Sequence, residues 1–198
     1  MNRGGLPGGE LRLTGGQARG RRLRTPRGLL IRPTADRVRE ALFGILGSRV
    51  DGARFLDVYA GTGAVGCEAL SRGAAQAVLL ERDRRALKLI GENLRVGHWP
   101  GAGEIIEGDA RGSLRELACR RARFDVIFLD PPYDHPGLSD VLGLAARILS
   151  PDGVLVVEHR SAAKIDIPEA SFFRPVRTYR YGDTSLTVCR PGGEPERP

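Results

Sequence analysis

Short apolar runs alternate with amphipathic stretches along most of this chain. Arg54–Tyr59, Ala77–Glu81, Glu104–Glu107, Phe124–Leu129 and Gly153–Glu158 have strand length, and the fourth is almost continuously β-branched, aromatic or aliphatic. Between them lie segments with helical spacing: one after Ala60-Gly61-Thr62-Gly63 to about Arg72, and Arg84–Val96 with Leu87, Ile90 and Leu94 inward. Further helices are expected near Gly112–Arg120 and over Leu138–Leu149. Upstream, Val38, Ala41, Leu42, Ile45 and Leu46 mark another, with Thr34 or Asp36 as its cap and Gly47 and Gly52 bracketing its end. Its charged residues Arg37, Arg39 and Glu40 are expected on solvated faces. Phe172–Tyr179 and Ser185–Arg190, around a turn at Gly182-Asp183, read as a closing antiparallel hairpin. Such alternation predicts an α/β fold: a Rossmann-like, doubly wound, mostly parallel sheet of seven strands with an antiparallel C-terminal pair.

The amino-terminal stretch breaks this rhythm. Residues 1–9 are Gly-rich and expected to be disordered. Residues 10–32 read as a small basic β-hairpin arm: Glu10–Thr14 alternates, Gly15-Gly16 interrupts, and Arg21–Arg24 returns. Residues 33–190 form the main domain and 191–198 a flexible tail. At 198 residues the chain is one domain with room for a core.

Charge sharpens the picture of the arm. Residues 1–32 hold eight arginines against one acid, Glu10, and that +7 equals the formal charge of the whole chain. The only lysines are Lys88 and Lys164, so a GC-rich genome could explain the preference for Arg, but not the missing acids. A localised basic arm points to a polyanion, and nucleic acid is the reading for Arg12, Arg19, Arg21, Arg22, Arg24, Arg32 and Arg37. A transit peptide would suit poorly a stretch without serine and too glycine-rich for an amphipathic helix. Cys67, Cys119 and Cys189 form no CxxC pair, and His98, His135 and His159 are scattered, so neither a disulfide framework nor a metal site is expected. No apolar run approaches the roughly 18 residues of a membrane span, and without an apolar region near Met1 no signal peptide is expected. A cytoplasmic monomer is the expectation.

Candidate chemistry begins where the fourth strand stops, at Asp130-Pro131-Pro132-Tyr133. Two prolines cannot continue a ladder, so the chain leaves the sheet at its carboxyl edge, where open α/β sheets bind ligands. There the Asp130 carboxylate and the Pro131 carbonyl can accept hydrogen bonds from an exocyclic amine while Tyr133 stacks on its ring. Such an amine is a poor nucleophile, because its lone pair is delocalised. Two acceptors that bend it toward sp3 geometry free that pair for attack. The plainer reading is a turn that merely ends a strand.

Gly61-Thr62-Gly63-Ala64-Val65-Gly66 matches G-x-G-x-x-G, with Glu81 following 18 residues after Gly63. Alone that is a dinucleotide fingerprint. Asp57 beneath the loop and Gly108-Asp109 ending the third strand speak against it. An edge lined by Asp57, Glu81, Asp109 and Asp130 is awkward for a pyrophosphate and suits the cationic sulfonium of S-adenosyl-L-methionine.

These stretches, from Leu56 to Gly63, then Glu81, Asp109 and Asp130–Tyr133, resemble the motifs of class I S-adenosylmethionine-dependent amino-methyltransferases. The segment Arg32-Pro33-Thr34-Ala35-Asp36-Arg37-Val38-Arg39-Glu40-Ala41-Leu42-Phe43 is similar to the signature of the bacterial RsmD family, which methylates a guanine N2 in small-subunit (16S) ribosomal RNA. The resemblance spans roughly residues 10–190, including Gly15–Gly20 and Tyr181–Thr184. It implies that Asp57, Gly61, Gly63, Glu81 and Asp109 contact the cofactor, with Ala60, Thr62, Arg82, Ala110 and Asp130 alongside. It further implies that Asp130, Pro131, Pro132 and Tyr133 hold the target base, and that the partner is ribosomal RNA, in an assembled or partly assembled small subunit. Tyr59 stands where many relatives carry phenylalanine. A DNA adenine-N6 methyltransferase is the nearest rival, but no gap here could hold a target-recognition insert. A non-catalytic RNA-binding assembly factor and a dehydrogenase are more distant rivals.

Overall fold

The computed structural model describes residues 11–26, 33–99, 101–132, 137–163 and 173–192, with side chains from Asp36 onward in the first helix. The stretches read as a disordered start and a flexible tail end, together with Arg32, Tyr133 and His135, lie outside these residues.

Seven strands form one sheet: β1 (Arg54–Val58), β2 (Gln76–Glu81), β3 (Gly103–Glu107), β4 (Phe124–Leu129), β5 (Leu149–Arg160), β6 (Phe173–Tyr181) and β7 (Thr184–Pro191). Their spatial order is β3-β2-β1-β4-β5-β7-β6. Pairing is parallel from β3 to β5 and antiparallel for β7 against both β5 and β6. The order reverses between β1 and β4, so their carboxyl ends flank the crevice where such sheets bind ligands. β5 starts at Leu149, before the Gly153 that apolarity suggests, because an irregularity lets Phe124 pair with Leu149 and Val126 with Val154.

Helices cover both faces. Phe55, Leu79, Val126, Phe128 and Val156 pack beneath α1 (Pro33–Leu46), α2 (Ala64–Ser71) and α3 (Arg84–Gly97). Leu56, Val58, Ile127, Leu129 and Val157 pack beneath α4 (Ala110–Cys119) and α5 (Leu138–Ile148). Successive strand residues alternate between the two cores, which explains the unbroken apolar runs. Asp109 caps α4, its Oδ1 accepting from Gly112 N at 3.0 Å, so that helix begins earlier than its apolar spacing indicates. Gly47–Val50 tightens into a single 3-10 turn after α1.

Arg39 corrects the reading of α1's charges as solvated. Its side chain is 4% exposed, lies 3.5 Å from the wholly buried Glu68 of α2 and 3.1 Å from Asp36, and donates to Arg12 O at 2.6 Å. Glu68 also accepts from Thr14 N, Thr14 Oγ1 and Arg72 Nε, at 2.8, 2.7 and 2.8 Å. A carboxylate with this many donors can remain charged out of water, and removing one partner would strand the other.

The network ties down residues 11–26. They form a packed loop held by the antiparallel bridge Arg12 to Arg22, with Leu13 N donating to Arg21 O at 3.0 Å and Leu23 N to Leu11 O at 2.8 Å. Leu11, Leu13, Ala18 and Leu23 are buried with Ala64 and Cys67, whereas Arg19, Arg21, Arg22 and Arg24 face outward. Gly16 explains the loop shape: its φ is +75°, and a Cβ there would lie 1.7 Å from Ser71 O. That approach leaves Gln17 N donating to Ser71 O at 2.6 Å, which fastens the turn to the end of α2.

Candidate active site

The loop after β1 is set by hydrogen bonds that cross to β2. Tyr59 N and Ala60 N both donate to Leu80 O, at 3.1 and 3.0 Å, and Tyr59 takes a φ of +69°. Such a conformation costs about 1–3 kcal/mol in a non-glycine residue, and strain of this kind clusters at functional sites. At Gly61 φ is +56° and an added Cβ would meet no atom closer than Tyr59 O at 4.0 Å, so the loop faces open space there. Gly66 has the opposite reason for lacking a side chain. A Cβ would fall 2.6 Å from Leu79 Cδ2, where α2 lies directly on β2.

Two carboxylates hold this loop. Glu81, at the end of β2, accepts Gly61 N–H at 2.9 Å through Oε2, and Arg82 N–H and Asp83 N–H at 2.8 and 2.9 Å through Oε1. Asp57 is 1% exposed and lies beneath, where its Oδ2 accepts from Gly66 N at 3.0 Å in the first turn of α2. Burial pushes its carboxyl up to about 7; the Gly66 N–H opposes this, and the charges of Asp130 and Glu81 add to it.

Asp130 ends β4 beside Val58, its N–H 3.4 Å from Val58 O. It reaches solvent through the crevice, while the surrounding protein withdraws enough water to push its carboxyl up to about 6. Among the described residues that carboxylate has no hydrogen-bond or ion-pair partner. Pro131 is buried and Pro132 exposed. Asp109 and Arg82 are exposed at the ends of β3 and β2, and Ala110 is buried behind them.

The sheet therefore brings Asp57, Ala60–Gly63, Glu81, Arg82, Asp109, Ala110 and Asp130–Pro132 to one edge. It does not bring the arginines of 11–26 to the same place. They join the site indirectly, through Asn93 of α3, which bonds both Arg24 and the Thr62 carbonyl. Neither Asn93 nor Glu158 stands out in the sequence. Glu158 lies in β5 one position past the pair Leu129–Val157, level with Asp130 where β4 stops, and burial together with the Asp130 charge pushes its carboxyl up to about 8. Cys67 is fully enclosed and packs, as its position on α2 suggests.

A doubly wound sheet in this strand order, with an acidic carboxyl edge and a glycine loop beneath it, defines a class I methyltransferase. A family model described as conserved hypothetical protein 95 matches residues 11–190. YlbH of Bacillus subtilis (strain 168) is 34% identical over 186 residues, 92% of this chain and all of that protein. Ribosomal RNA small subunit methyltransferase D of Escherichia coli (strain K12) is 39% identical over 136 residues, 69% of this chain and 67% of that protein. The solved structure of yhhF from Escherichia coli superposes with a TM-score of 0.79 at 32% identity, covering 92% of this chain and 98% of that one. The chain belongs to this family, the RsmD family of methyltransferases.

Proposed function

We propose that this protein transfers a methyl group to the exocyclic N2 of a guanine in small-subunit ribosomal RNA, within an assembled or partly assembled particle. Relatives named for small-subunit ribosomal RNA methylation support the substrate class. S-adenosyl-L-methionine is the methyl donor, and when bound it supplies an electrophilic carbon on a sulfonium.

The donor set fits that group. Asp57, Glu81 and Asp130 share one edge with no arginine or lysine ion-paired to any of them among the described residues, and their proximity raises the cost of ionising Asp57. A cationic ligand relieves that cost, and a diphosphate would add to it. Gly61–Gly63, Glu81, Arg82, Asp109 and Ala110 would hold its nucleoside, over the Asp57-braced start of α2.

The observation that carries the reading is the free carboxylate of Asp130 at the strand end, followed by two prolines. It can accept an N2–H, orient the amine and take its proton after transfer. Pro131 offers its carbonyl to the second hydrogen, Pro132 helps turn the chain out of the sheet, and Tyr133 supplies a plate for the base. The arginines facing outward from residues 11–26 would meet phosphates.

Tritiated methyl transfer to small-subunit particles and to free ribosomal RNA, followed by nucleoside analysis, tests this. N2-methylguanosine, formed best on particles, is the expected product. N6-methyladenosine, or binding of particles without transfer, would overturn the reading.

A further inference from the structure

We propose, on the reading of the site as a guanine-N2 methyltransferase, that Glu158 accepts the N1–H of the target guanine and so selects guanine against purines lacking that proton. Register places it for this. Leu129 of β4 pairs with Val157 of β5, so Asp130 and Glu158 form the next pair outward. Both side chains lie on the face that carries Phe128 and Val156, because residues two apart on a strand share a face. Adjacent strands are about 4.8 Å apart, so two acceptors stand side by side at the crevice.

Glu158 has no structural duty among the described residues. Among the described residues its carboxylate has no hydrogen-bond or ion-pair partner, although it is half-buried and beside a second acid. An acceptor kept there at a desolvation cost suits a donor that arrives from outside. Guanine presents two adjacent donors on its Watson–Crick edge, N1–H and N2–H, and two neighbouring carboxylates match that run. Adenine presents a donor beside the N1 lone pair, which offers an ionised Glu158 nothing to accept. Donation by N1–H also favours the ionised form, against the burial that disfavours it.

The probe is a small subunit reconstituted with 2-aminopurine at the mapped target position. That base keeps the N2 amine and replaces N1–H with a lone pair. Assayed above about pH 8, where Glu158 is ionised without a ligand's help, the wild-type enzyme should methylate guanine at least about 10-fold better in kcat/KM. Glu158→Gln, which can turn an amide N–H toward the lone pair, should narrow or invert the ratio. Glu158→Ala should lower transfer to guanine and abolish the discrimination. Unchanged S-adenosyl-L-methionine affinity certifies that each variant is folded. If N2-methylguanosine forms but Glu158→Gln keeps the wild-type ratio, the Glu158 assignment fails alone. If the wild-type product is not N2-methylguanosine, the reading of the whole site fails with it.

Discussion

The side chain of Asn93 grips Arg24 from both sides of its backbone, Oδ1 accepting from Arg24 N at 2.6 Å and Nδ2 donating to Arg24 O at 3.1 Å. The same Nδ2 donates to Thr62 O at 2.8 Å, and Asn93 is wholly buried. One carboxamide thus connects the basic loop to the glycine loop. Asn93→Ala would leave three backbone groups short of a partner, at about 1–3 kcal/mol for each that stays dry. We expect a melting temperature lower by several degrees, a higher KM for S-adenosyl-L-methionine and weaker RNA binding together. A variant that loses stability but keeps both affinities would show that the bridge carries no coupling. Thermal unfolding and titration of each ligand decide it.

Asp130 and Glu81 should separate in kinetics. Asp130→Ala should abolish transfer with cofactor affinity within a few-fold of wild type. Asp130→Asn keeps one acceptor and the shape, so it should retain more activity than Ala, while losing about 10²-fold or more. Glu81→Ala removes the acceptor for three loop N–H groups and should raise the cofactor KM, a loss of about 1–3 kcal/mol. Initial rates at saturating cofactor distinguish the two. Full activity of Asp130→Ala under those conditions would remove it from the chemistry.

The raised carboxyl of Asp57 makes a prediction with a definite sign. Its ordinary value is 3.8 and its value in the fold about 7, so between those the folded chain holds a proton that the unfolded chain has lost. Stability from this group is therefore full below about pH 4 and falls as pH rises toward 7. Asp57→Asn should flatten that decline in denaturant midpoints measured from pH 5 to 8. Binding responds in the opposite sense. Ionised Asp57 and Asp130 favour a sulfonium, so affinity for S-adenosyl-L-methionine should climb between pH 6 and 7 more steeply than for S-adenosyl-L-homocysteine, whose sulfur is neutral. Equal slopes for the two ligands would contradict it.

For the basic loop, a variant with Arg19, Arg21, Arg22 and Arg24 changed to Gln tests phosphate contact against mere packing. Arg21 also donates to Val96 O at 2.6 Å, and Arg24 lies 3.5 Å from Glu92, so a modest stability loss is expected. Cofactor binding should survive. RNA affinity should fall, and the plot of log K against log salt should become shallower by about 0.7–0.9 per lost contact. A wild-type slope would leave these arginines as solvated surface.

What the sequence makes visible follows a physical line. The central strands β1, β2, β4 and β5 are written in apolar runs, since a strand buried on both faces has no choice of residue type, whereas the edge strands β3 and β6 are largely exposed and carry polar residues. Asp130-Pro131-Pro132 and the glycine loop are equally plain, because proline and positive φ sharply restrict the backbone. Arg39 and Glu68 were not legible: helical spacing shows that a charge is off the apolar stripe, not that a carboxylate on another helix waits for it. The alternation of the basic loop buries Leu11, Leu13 and Leu23 around the Arg12–Arg22 bridge, but it gives no sign of Ala64 and Cys67 of α2, against which they pack. Glu158 reads as an ordinary polar end to a strand until register sets it beside Asp130.

The insertion of β7 between β5 and β6 has a consequence for how the enzyme is made. Synthesis runs from the amino end, so β1 to β4 and the glycine loop can assemble while Thr184–Pro191 is still inside the translating ribosome. Until those residues emerge, Leu155–Arg160 presents a bare strand edge with unpaired backbone groups, the kind that pairs with whatever strand it meets. The half of the crevice with the glycine loop is thus early, and the flank that carries Glu158 is completed late. A chain lacking Thr184–Pro191 would leave that flank of the crevice without its neighbouring strand.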